Sequence, residues 1–88
     1  MGRYETAAIE TAALGEANTS ADMFFQLGMM YSTGSSVDAD YVSAHKWFNL
    51  AALEGNHDAI RLRREIAALM SETEIATAQR AARAWLGR

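Results

Sequence analysis

The chain contains no cysteine and no proline. Without cysteine there is no disulfide framework, no thiolate-ligated zinc and no thiol nucleophile. Without proline nothing forces a break inside a helix, and alanine, the best helix former, supplies 18 of the 88 residues. Long apolar runs are also missing. The longest, Ile66 to Met70, falls far short of the roughly 20 residues needed to cross a bilayer. The amino terminus has no apolar stretch behind its basic residue, so no secretory signal is expected. Half of the residues are apolar and 22% are charged, the balance of a globular chain rather than a disordered or membrane-spanning one. At 88 residues the length suits a single domain over 1–88. The expectation is a small helical protein of the cytoplasm.

Charge is scarce in one half and concentrated in the other. Residues 1–58 carry two basic and eight acidic side chains, and residues 59–88 carry six arginines and three glutamates, within a net charge of −3. A duplex-binding protein would present a dominant basic surface, so nucleic acid is not an expected partner. The arginine-rich end suits either solvent or an acidic surface, on another protein or on a second copy of the chain.

The 3.6-residue period and the punctuation predict five helices and no strand. The first spans about Glu5 to Leu14 and stops at Gly15; the second, about Ala21 to Ser32, aligns Phe24, Leu27, Gly28 and Tyr31. A loop from Thr33 to Ala39 follows, with Gly34 suited to positive φ. The third helix, about Asp40 to Leu53, aligns Tyr41, Ala44, Phe48 and Ala51, widened by Trp47 and Ala52. Gly55 is a C-cap and Asn56 an N-cap for the fourth helix, about His57 to Met70, which stacks Ala59, Leu62, Ile66 and Leu69. Ser71-Glu72-Thr73-Glu74 is a capping box opening the fifth, whose stripe is Ile75, Ala78, Ala82 and Trp85. Gly28 costs about 1 kcal/mol relative to alanine inside a helix. Its presence suggests a neighbour too close for a side chain, with Ala44, Ala51 and Ala52 offering a shallow surface and Tyr31, Trp47 and Phe48 filling the gaps.

Phe24-x-x-Leu27-Gly28-x-x-Tyr31 followed by Ala44-x-x-x-Phe48 resembles the tetratricopeptide pattern, but the 13 positions from Tyr31 to Ala44 exceed its spacing. Taken with Gly34, Val37, Asp40-Tyr41, Trp47, Ala51-Ala52 and Gly55, the run resembles a Sel1-like repeat over about 23–55. A partial repeat would precede it and C-terminal capping helices would occupy 57–86. Ser36 stands where that family has a second loop glycine, which suggests a less sharply turned loop, and Met23 replaces a small residue. The resemblance implies an all-α fold of about five antiparallel helices in a short solenoid, a protein-binding scaffold and no shared chemistry.

No residue pattern points to catalysis, a cofactor or a metal. His45 and His57 match no metal-ligand spacing and read as surface histidines. Asp38 and Asp40 sit at a loop-to-helix boundary, where aspartate caps. The serines lack a nucleophile elbow, and the glycines form no phosphate loop. Met1-Gly2-Arg3-Tyr4-Glu5-Thr6 matches a myristoylation pattern and Asn18-Thr19-Ser20 a glycosylation acceptor, but neither modification is expected in the bacterial setting that the resemblance implies.

The second helix carries apolar residues beyond its stripe. Asp22, Gln26 and Met29 point away from that stripe, with Phe25 and Met30 beside them. These five are the candidate partner-binding residues, since methionine-rich surfaces adapt to varied partners. Flanking helices could instead bury Met23, Phe25 and Met30. The functional expectation is a non-catalytic adaptor or small accessory subunit. The alternatives are a self-associating structural protein or a subunit of a larger, even membrane-bound, complex.

Overall fold

A computed structural model describes residues 20–87, and in this range the chain is all-helical. Four helices follow one another: α1 (Ser20–Thr33), α2 (Tyr41–Leu53), α3 (His57–Ala67) and α4 (Glu72–Leu86). The expected helix over Glu5 to Leu14 lies outside the described residues. None of the described helices is long and apolar enough to cross a membrane.

The ends of the helices follow from local chemistry. Asp40 caps α2, its carboxylate accepting from the Ser43 amide at 3.2 Å and from the Ser43 hydroxyl at 2.9 Å. At the other end, the Gly55 amide donates to Ala52 and the Asn56 amide to Ala51. This is a Schellman closure, and it requires the positive φ of Gly55, here +102°. Asn56 then serves α3 as well, its side-chain oxygen accepting from the Ala59 amide at 2.9 Å. The capping box forms in full. Ser71 Oγ accepts from the Glu74 amide at 3.0 Å, and the Glu74 carboxylate accepts from the Ser71 amide at 2.8 Å.

Two expectations of local structure are corrected. The fourth predicted segment ends at Ala67 rather than Met70, because the Leu69 and Met70 amides turn back to Ile66 and Ala67. That turn leaves Leu69 66% exposed instead of on the core stripe, while Met70 packs inward. Ser36 adopts a φ of +70°, so the loop keeps a left-handed residue without a second glycine.

α2 is the centre of the fold. It packs against α1, α3 and α4, and those three touch one another only marginally. Ala44, His45, Trp47, Phe48, Leu50 and Ala51 are buried over more than half of its circumference. By contrast, α1, α3 and α4 each bury only two residues: Phe24 and Gly28, Ala59 and Ile66, Ala78 and Ala82. Tyr41, expected on the core stripe, is exposed at the first position of the helix.

The Gly28 contact is closer than alanine-lined nesting alone would require. A Cβ placed on Gly28 would sit 2.5 Å from Cδ1 and 2.6 Å from Cε1 of Phe48. The glycine therefore makes room for an aromatic ring on α2, while Ala44 and Ala51 are fully enclosed beside it and Ala52 is half-buried. Phe25 packs its ring against the same phenylalanine, with centroids 5.7 Å apart.

Candidate functional site

The outward side of α1 is the first candidate surface. Met23, Gln26 and Met29 are exposed at successive turns, Met23 by 59%. This stripe points away from α2 because Phe24 and Gly28 occupy the buried side. Of the five expected partner-binding residues, Gln26 and Met29 are therefore displayed. Phe25 and Met30 are half-buried, and Phe25 belongs with the core through its contact with Phe48. Met23, for which burial was an open reading, is displayed instead. Asp22 lies one turn before Gln26 on the same side of α1; it is half-buried and borders an open groove that also includes Glu54, Gly55, Asn56, His57 and Asp58. The groove gathers the start of α1 and the α2–α3 turn, and encloses about 420 Å3. Among the described residues, no group of three or more acidic or histidine side chains is arranged to hold a metal ion.

The two histidines have separate fates. His57 is exposed at the start of α3, as expected. His45 is not a surface residue: only 3% of it is exposed, and its Nδ1 is buried without a hydrogen-bond partner. The reason is that α3 packs over this side of α2. One turn on, Asn49 accepts from the Arg63 guanidinium at 2.6 Å, joining α2 to α3. Desolvation, reinforced by the positive charge of Arg63, lowers the His45 pKa below its ordinary 6.5.

The unfolded chain takes up a proton near pH 6.5, whereas folded His45 resists one. Stability is thus complete above that pH and is lost as the pH falls below it. We expect the urea midpoint to decrease between pH 7.5 and 5.5, and His45→Gln to remove most of that slope. A wild-type midpoint independent of pH over this range would contradict the assignment.

A third cluster joins α1, α2 and α4. Trp47 stacks on Phe24 with centroids 5.6 Å apart, and Trp85 meets both edge-on, at 4.9 Å from Trp47 and 6.2 Å from Phe24. The Lys46 ammonium lies 4.1 Å from the centre of the Trp47 ring and 5.5 Å from that of Trp85. Both distances are within cation–π range. The stripes of α2 and α4 already placed Trp47 and Trp85 inward. The role of Lys46 was not foreseen, although its position next to Trp47 on a helix packed on three sides was the available signal.

Comparisons with protein-family models, curated proteins and solved structures find no match.

Proposed function

We propose that the chain is a non-catalytic protein–protein interaction module, an adaptor or small accessory subunit built as a short Sel1-like helical repeat. It acts in the cytoplasm and binds a protein partner through the outward face of α1. The observation that carries this reading is the exposed stripe Met23, Gln26 and Met29, two flexible thioether side chains flanking one amide. The repeat assignment is supported by Gly28 against Phe48 and by the left-handed Gly34 and Gly55 at the ends of α1 and α2.

The test is quantitative affinity purification from the native host, using the wild type and a Gln26→Lys/Met29→Glu variant. Both substitutions fall on exposed positions, so the circular dichroism spectrum should not change. A stoichiometric companion should be recovered with the wild type and depleted at least about tenfold with the variant, which corresponds to ~1.4 kcal/mol. Equal recovery with both proteins would refute the α1 face as the binding surface.

Self-association is a second reading, favoured by the position of Asp22, Glu54 and Asp58 in one groove while Arg64, Arg80 and Arg83 are exposed on α3 and α4. Such contacts would weaken with salt. Light scattering that reports a monomer at every concentration and salt level would eliminate it.

A further inference from the structure

The open trough between α2 and α4 is distinct from the α1 stripe, and the proposal made for it stands or falls separately. Lys46, Ala81, Ala84 and Trp85 line it, and it encloses about 430 Å3. Ala81 and Ala84 are three positions apart on α4, so their methyl groups leave that face of the helix shallow. A second helix can therefore approach closely, as when ridges pack into grooves. The indole of Trp85 gives the trough a flat apolar wall of the kind that anchors interfaces.

The one charged residue that lines it is basic. Lys46 bounds the α2 side. Arg80 is exposed one turn before Ala84 on α4; one of its N–H groups donates to the Thr77 hydroxyl at 3.2 Å, and the guanidinium has further donors for an anion. Glu74, on the same helix two turns nearer its start, has its carboxylate turned back onto the Ser71 amide. The ammonium of Lys46 is already held over Trp47 and Trp85. Little side-chain freedom remains to be lost when it meets an anion.

We propose that this trough is a docking site for an acidic amphipathic helix of a partner protein. An apolar side chain of that helix rests on the Trp85 indole between the methyl groups of Ala81 and Ala84. Its flanking carboxylates meet Lys46 and Arg80. This is helix-in-groove recognition, with charge on the rim setting specificity.

Trp47 and Trp85 are the only two tryptophans in the chain, and both belong to the cluster behind the trough. Intrinsic fluorescence of the full chain therefore reports occupancy directly. The probe is a synthetic helix-forming peptide with a leucine stripe flanked by glutamates. Its controls carry lysine for every glutamate, or serine for every leucine.

The glutamate peptide should give a saturable change in emission, weakened by salt, and both controls should bind at least about tenfold more weakly. Ala84→Glu, at an exposed position, should raise the Kd at least about tenfold, and Lys46→Gln should raise it about three- to fivefold. Circular dichroism verifies that both variants fold. The proposal is overturned if the glutamate peptide causes no change, if the lysine peptide binds equally well, or if Ala84→Glu titrates like the wild type. It is also overturned if sedimentation shows a wild-type dimer that Ala84→Glu dissociates, because the trough would then belong to a second copy.

Discussion

Replacing Phe48 with alanine should lower the free energy of unfolding by about 3–5 kcal/mol, the range for deleting a buried aromatic ring. Phe48 has no exposed surface and is one of the two largest fully buried side chains, with Leu50. Its ring contacts Phe25 and fills the space over Gly28. Alanine would leave a cavity where α1 and α2 meet, at the interface that α1 depends on for its burial. Small domains often have only about 5–10 kcal/mol in total, so the variant should be partly unfolded near 37 °C. Urea titration followed at 222 nm measures the difference, and a loss below about 1 kcal/mol would contradict the packing described.

Gly28→Ala is expected to be destabilising by about 1–3 kcal/mol, the cost of forcing extra volume into a packed core. Helix propensity alone argues for a gain of about 1 kcal/mol. Packing wins because three ring atoms of Phe48, Cδ1, Cε1 and Cγ, lie within 2.9 Å of the added methyl position. The ring is enclosed on all sides and cannot step away. The same substitution in a Phe48→Ala background should reverse sign, since the obstruction is gone and the propensity gain remains. A double-mutant cycle reads this coupling directly. Additive effects would show that Gly28 is present for some other reason.

The helices were legible where local signals were strong. Asp40, Asn56 and Ser71 act as caps because their short side chains lie three residues before an unpaired helical amide, a relation that sequence spacing carries in full. Gly34 and Gly55 were legible for the same reason, as residues able to adopt positive φ. The burial of His45 was not. The polarity of that side chain suggested a surface, whereas its environment is set by α3, which contributes Arg63 to the facing wall. The clue was on α2 itself, where apolar residues occupy more than one stripe, the mark of a helix enclosed by others.

The candidate surfaces were legible in part. Gln26 and Met29 follow from the helical wheel, because the buried side is fixed by Phe24 and Gly28. Phe25 was ambiguous, since it lies at the boundary between the two sides and only the position of the Phe48 ring decides it. The trough of Lys46, Ala81, Ala84 and Trp85 joins residues more than 30 positions apart. Its existence depends on α4 lying back across α2 rather than pairing chiefly with α3, and no periodicity within either helix encodes that choice.

Since α1, α3 and α4 each lean on α2 far more than on one another, the four described helices have no modular fault line along which one could peel away intact. Loss of any flank strips water protection from the shared inner helix and weakens the footing of the remaining two. Melting should accordingly proceed as one concerted event, with the backbone amides of α2 the last to exchange with solvent.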